Sequence, residues 1–145
     1  MRGWVVVCSV LGVCLLVGGC GQQGPPRKPT FKVTGKVVVD GAPPTSSIQI
    51  TCHSLSGMDP NMPTASQCET NPDGTFEIAT YQQGDGVPVG DYVLTFTSRE
   101  FNMMARTYVG PDKLNNRYAD PQKSEFKFTV KDKPVDLGEI QLTTK

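Results

Sequence analysis

Side chains suited to acid–base or metal chemistry are few in this chain of 145 residues. His53 is the only histidine, and there are five cysteines. A single histidine leaves little material for proton transfer near neutral pH or for a histidine-based metal site. Ser54, Ser56 and Asp59 follow His53 closely, but no G-x-S-x-G turn is present to expose a nucleophilic serine. We therefore expect no catalytic residue, no enzymatic activity and no cofactor.

Acidic residues in the predicted loops could bind Ca²⁺, because this ion prefers oxygen ligands. Asp85, Asp91, Asp112 and Asp120 are such residues, but their spacing is not that of an EF-hand loop. The fourteen basic residues are balanced by fourteen acidic ones. A chain without a basic excess offers nucleic acid no electrostatic surface. We expect neither a metal site nor a nucleic-acid partner.

The region around Cys20 carries the sharpest chemical signal. Arg2 precedes an uncharged run from Trp4 to Val17, which is shorter than the roughly 20 residues of a membrane span and has the length of a signal-peptide core. The stretch Val17-Gly18-Gly19-Cys20 resembles the bacterial lipobox, in which the cysteine is acylated and the chain is cut before it. The resemblance implies a signal peptide over residues 1–19 and a lipid anchor on Cys20.

The residues after Cys20 predict a tether and a location. Residues 21–30 contain three prolines and no aliphatic residue, which favours an extended segment, so we assign residues 20–30 to the lipidated cysteine and a flexible tether. In Gram-negative lipoproteins an Asp after the acylated cysteine favours the inner membrane, and Gly21 stands there. The expected location is extracytoplasmic, anchored to a bacterial membrane, the outer rather than the inner one.

Cys52 and Cys68 remain as a pair in the mature chain. An even number of cysteines in an oxidising compartment predicts a disulfide, which would close a loop of about 15 residues and stabilise the fold by roughly 3 kcal/mol. The alternative is two separate buried thiols that pack as small apolar groups. Cys52 is in step with Ile50 along its strand, so we expect its side chain to face inward.

Apolar and polar residues alternate with a period of two from residue 31 onward, which is typical of β-strands. About seven such segments, separated by Gly, Pro and Asp turns, predict an all-β fold, a seven-stranded antiparallel sandwich over residues 31–145. The predicted core consists of Val33, Val37, Val39, Ile48, Ile50, Phe76, Ile78, Tyr92, Leu94, Phe96, Phe126, Phe128, Val130, Ile140 and Leu142.

Residues 98–124 interrupt this rhythm, and a loop of that length is usually functional or partly structured. Phe101, Met103 and Met104 either fold back to cap one end of the sandwich, which we favour, or form a partner-binding loop, since methionine suits adaptable surfaces.

Arg117, Tyr118 and Asp120 are the polar candidates in the same segment. They form either an exposed recognition patch or, as we favour, an ion pair of Arg117 with Asp120 or Asp85 that pins the loop.

Four motifs in order resemble carboxypeptidase-regulatory-like domains. Val33–Val37 with Asp40-Gly41 resembles their first hairpin, Thr70–Phe76 resembles their "TDxDGxF" turn, and Tyr81–Tyr92 and Leu114–Ser124 resemble segments of small lipoproteins numerous in planctomycete-type bacteria. The departures are Asn71 in place of Asp and Asn116 in place of Gly. The resemblance implies a transthyretin-like, Ig-like sandwich, and it implies no particular activity, since members generally have none assigned.

Together these features predict a non-enzymatic, lipid-anchored cell-envelope protein that serves as a structural or protein-interaction module. Its expected partners are the membrane, through the lipid, and other envelope proteins or glycans. The alternative is a small-ligand module that binds carbohydrate or Ca²⁺. Four tyrosines could line a sugar-binding surface: Tyr81, Tyr92, Tyr108 and Tyr118.

Overall fold

The computed structural model describes residues 26–145, so the predicted signal peptide, Cys20 and the first part of the tether lie outside the described residues. Within this range the chain forms eleven strands, and it contains no helix that could cross a membrane. The strands are β1 (Thr30–Phe31), β2 (Val33–Val39), β3 (Gln49–Ser54), β4 (Ser66–Glu69), β5 (Thr75–Glu77), β6 (Val87–Pro88), β7 (Gly90–Thr97), β8 (Glu100–Asn102), β9 (Thr107–Val109), β10 (Lys127–Val130) and β11 (Val135–Leu142).

Seven of these strands build two main sheets, which confirms the predicted all-β sandwich. One sheet has the order β10-β7-β3-β4 and the other has the order β11-β2-β5, while β1 pairs with β6 and β8 with β9. The pairing of β11 with β2 is parallel, and every other strand pair in the described range is antiparallel. The parallel pair departs from the predicted antiparallel arrangement. It arises because β10 ends at the end of the sandwich where β2 begins, so β11 starts beside Val33 and runs in the same direction as β2. Side-chain alternation reports the faces of a strand and not its direction.

The buried core lies between the two sheets. Of the predicted core residues, all but Val39, Phe126 and Phe128 are buried, and those three are half-buried against the same cluster. Cys52 also faces inward, as expected. Val87 and Leu114 join the core from segments without a strand pattern in the sequence. Burial of alternate residues from both sheets is the main stabilising contribution to such a fold.

The sandwich has two distinct ends. At the N-terminal end, Thr30 pairs with Pro88, and the amide of Leu55 donates to the carbonyl of Asp91 (2.9 Å). At the distal end lie the turn at Asp40, the 98–124 segment and the C-terminus, where Tyr118 connects β7 to Thr143. Neighbouring strands run from one end to the other, so these two sets of loops are separated by the length of β7, about 25 Å.

Part of the predicted tether is docked on the domain. The guanidinium of Arg27 lies 5.3 Å from the ring centroid of Tyr81, and the amide of Lys28 donates to the Tyr81 hydroxyl (3.1 Å). Lys28 also forms a 2.6 Å ion pair with Asp59. Contacts with the domain therefore extend back to Arg27, four residues before the predicted boundary at residue 31. The sequence pattern did not indicate this, because the partners come from distant segments.

Candidate interaction sites

The long 98–124 segment contains a hairpin. Its strands β8 and β9 pair from Glu100 opposite Val109 to Asn102 opposite Thr107. The side-chain oxygen of Asn102 accepts the amides of Met104 and Ala105, both at 2.9 Å, which closes the turn. Arg106 takes a left-handed conformation with φ of 49°. This turn has neither Gly nor Pro, so the usual hairpin signals were absent from the sequence.

The hairpin presents apolar side chains to solvent. Met103 is 79% exposed and Met104 is 96% exposed. Phe101 is also exposed and packs edge-on against Tyr108, with ring centroids 5.2 Å apart. We call Phe101, Met103, Met104 and the exposed Val109 the hairpin patch. The expectation that these residues fold back onto the sandwich is wrong, because the turn carries them away from it.

Asp112 and Leu114 do hold the same segment to the sandwich. The buried carboxylate of Asp112 accepts the amides of Ser98 (2.7 Å), Leu114 (3.0 Å) and Asn116 (3.1 Å). Leu114 enters the core. Sequence reasoning considered Asp112 only as a calcium ligand. Asp often accepts the amide of the residue two positions on in a turn, which could have indicated the contact with Leu114 but not the contact with Ser98, fourteen residues away.

Arg117, Tyr118 and Asp120 do not form one cluster. Arg117 is exposed and makes no ion pair with any residue of the described range. Asp120 pairs with Lys123 at 3.7 Å, and Asp85 accepts the amides of three nearby residues instead. The expected pairing of Arg117 with Asp120 or Asp85 is therefore wrong. Tyr118 packs edge-on against Phe96 and belongs to the distal end of the core.

A groove of about 980 Å³ lies along the four-stranded sheet at its β4 edge. Its floor includes Gln49, Thr51 and Gln67, which alternate with inward-facing core residues. Tyr81 and Tyr108 both line the groove, and Gln82, Gln83 and Arg99 add further polar groups. Such a surface offers many hydrogen-bond donors and acceptors and two aromatic faces.

Glu69 links the hairpin to the groove. Its carboxylate accepts hydrogen bonds from the Tyr108 hydroxyl and from the Ser47 hydroxyl. Desolvation, together with the nearby Glu69 charge, raises the pKa of Tyr108 to about 12. The phenol therefore remains a neutral donor at physiological pH, and it fixes the base of β9 beside the sheet.

Cys52 and Cys68 are free thiols on neighbouring strands. Cys52 lies opposite Ser66 and Cys68 opposite Ile50, so the two thiols are diagonal neighbours on the inner face. Diagonal positions are typically 7–8 Å apart, which is wider than the usual Cα separation in a disulfide. Burial raises the pKa of each thiol to about 12. The bridge remains a prediction that needs a small shift of the edge strand β4.

His53 and the loop aspartates are not assembled into a reactive centre. The Nε2 atom of His53 lies 2.9 Å from the Thr95 hydroxyl. Asp91 accepts a hydrogen bond from Thr129, at the opposite end of the sandwich from Asp112. Across residues 26–145, no three His, Cys, Asp or Glu side chains gather closely enough to hold a metal ion.

Comparisons with known proteins add little. No protein-family model matches the chain, and no curated protein matches it. Among solved structures, a 9R-lipoxygenase from Cyanothece PCC8801 is similar over 79% of this chain, with 15% identity and a TM-score of 0.38. The chain spans only 16% of the length of that lipoxygenase. A likeness this weak carries no argument about fold or function.

Proposed function

We propose that this protein is a non-enzymatic, lipid-anchored module of the bacterial envelope and that it binds an envelope protein through the hairpin patch. One observation carries the proposal: a hydrogen-bonded hairpin holds Met103 and Met104 almost fully in solvent. Several large apolar side chains exposed on one short element are typical of an interaction surface, and methionine adapts to varied partners.

The arrangement of the two ends supports this proposal. The chain enters the domain at Arg27, beside Tyr81 and Asp59 at the N-terminal end. The hairpin leaves β7 at Thr97, which is the distal end. An anchor on Cys20 would thus hold the sandwich upright and direct the hairpin patch away from the membrane, where other envelope proteins are accessible.

The experiment compares the full chain with its Cys20→Ala variant in a bacterial host. We expect intact-mass analysis to show a chain cut before Cys20 and acylated, recovered in the membrane fraction, and the variant to remain uncut and unacylated. A second arm places a photo-crosslinking amino acid at Met104 or, as a control, at the exposed Lys127 of β10. A discrete adduct is expected only from position 104. Release of the unmodified wild type in soluble form contradicts the anchor, and equal adducts from both positions contradict the hairpin contact.

Glycan binding is the second candidate function, and the polar groove with Tyr81 and Tyr108 favours it. A ligand that binds only the folded state at a hundred times its Kd stabilises it by about 2.7 kcal/mol. We expect a soluble glycan panel to raise the Tm of the wild type by several degrees, and a Gln67→Ala variant to lose most of this shift. Gln141→Ala, on the other sheet, is the control. An unchanged Tm with every glycan argues against this function.

A further inference from the structure

The large exposed apolar side chains of the described range fall into two groups at opposite ends of the sandwich. Four of them form the hairpin patch at the distal end. The other three are Leu55, Met58 and Val89, which are 53%, 70% and 61% exposed. We call these three the N-terminal patch. None of the three residues lines the groove, belongs to the hairpin or packs in the core cluster.

The N-terminal patch surrounds the point where the chain enters the domain. Met58 is adjacent to Asp59, which holds Lys28 in an ion pair of 2.6 Å. Val89 directly follows Pro88, the β6 residue that pairs with Thr30. Leu55 is tied to this region by its hydrogen bond to the carbonyl of Asp91. The three apolar side chains therefore lie at the end of the domain where residues 27–30 dock.

The length of chain before Arg27 limits how far this surface can lie from an anchor at Cys20. Seven residue steps separate Cys20 from Arg27, and seven steps span at most about 25 Å even when fully extended. Because residues 27–30 are docked on the domain, they add nothing to this reach. A bilayer that holds Cys20 therefore lies within about 25 Å of Arg27, which is at the end of the domain that carries Leu55, Met58 and Val89.

We propose that the N-terminal patch rests on the lipid bilayer, so that the surface of the domain makes a membrane contact in addition to the acyl chains on Cys20. This inference rests on the proposed lipid anchor. Three apolar side chains bind a membrane weakly by themselves, but the anchor makes their contact intramolecular and raises their effective concentration at the bilayer. Arg27, at the same end, adds a cation at the level of anionic headgroups. The contact fixes the orientation of the sandwich and points the hairpin patch outward.

The test uses tryptophan fluorescence in the full chain, because Trp4 is its one tryptophan. In a Trp4→Phe background, a tryptophan is placed by Met58→Trp, by Leu55→Trp or, as the control at the distal end, by Met103→Trp. Each purified chain is reconstituted in phosphatidylethanolamine–phosphatidylglycerol vesicles, with or without brominated acyl chains. Urea unfolding of each variant verifies that the fold is retained. Intact mass reports separately whether Cys20 is acylated.

We expect iodide to quench the tryptophans at positions 58 and 55 at least roughly twofold less than the one at position 103, and brominated lipid to quench only the first two. If all three positions are equally open to iodide on an acylated, vesicle-bound chain, the membrane contact is overturned and the anchor stands. If the chain is unacylated but held on the vesicle by its apolar residues 4–17, shielding of positions 58 and 55 from iodide supports the membrane contact and contradicts the lipidation of Cys20. A chain that stays off the vesicles overturns both.

Discussion

Cys52 and Cys68 show how burial controls the chemistry of single residues here. Both thiols face the core, and desolvation raises the pKa of each from 9.0 to about 12. The unfolded chain ionises its thiols near the ordinary value, whereas the folded chain keeps them neutral. The free energy of unfolding should therefore fall as the pH rises above about 9. At neutral pH the same thiols should react slowly, because the thiolate is the nucleophile.

Alkylation separates free thiols from a disulfide. With iodoacetamide at pH 8, we expect little labelling of the folded Cys20→Ala chain at Cys52 and Cys68, and labelling of both in urea without a reductant. If labelling in urea requires prior reduction, the bridge predicted from the cysteine count is present, and mass analysis should show a gain of about 2 Da on reduction. Fast labelling of the folded chain contradicts the buried placement of the thiols.

At the scale of elements, buried hydrogen bonds and the core residue Leu114 hold the 98–124 segment to the sandwich, in place of the expected ion pair of Arg117. Asp112 accepts three amides from Ser98, Leu114 and Asn116, and the amide of Lys113 donates to the carbonyl of Ser98 at 2.8 Å. These contacts fix the base from which β8 and β9 project. The hairpin is thus an ordered extension of the sandwich, which its two short strands could not achieve alone.

Asp112→Ala should detach this segment. Loss of the buried acceptor leaves amides without a partner, so we expect a decrease in the free energy of unfolding of about 2–3 kcal/mol, measured by urea denaturation. Proteolysis within residues 98–124 should also become faster. Asp132→Ala, in the exposed β10–β11 turn, is the matched control and should change stability by less than about 0.5 kcal/mol. Similar stabilities for the two variants would show that Asp112 does not brace the segment.

At the scale of the whole molecule, the surfaces available for contact are unequal. The edge strand β10 begins at Lys127 and is followed by the exposed Lys131, and the β11–β2 pairing is irregular between Asp136 and Glu139. Lysines and irregular pairing protect a sheet edge from adding another strand. The two apolar patches have no such protection, and they lie at opposite ends. The structure thus favours contacts through the ends of the sandwich over contacts through these sheet edges.

Strand identity and the core were predictable from the sequence because side-chain alternation is a local property. The main strands carry the predicted core residues at every second position, so most of the buried set followed without knowledge of neighbours. The central strand β7 is the exception, because it is buried at every residue from Tyr92 to Phe96. The turn at Asp85 is local too, since its carboxylate accepts amides from within five residues, a pattern that Asp favours in turns. The signal at Cys20 is also local, and it remains a prediction because residues 1–25 lie outside the described range.

Only the tertiary structure decided which distant residues meet. The parallel pairing of β11 with β2, the docking of Arg27 on Tyr81 and the bracing by Asp112 all join segments whose approach no local pattern records. The same holds for exposure. Met103 and Met104 have apolar side chains of the kind found in cores, and they stay in solvent because a hairpin carries them away from the sheets. Composition determines what a side chain can contact, but the path of the backbone determines whether it does.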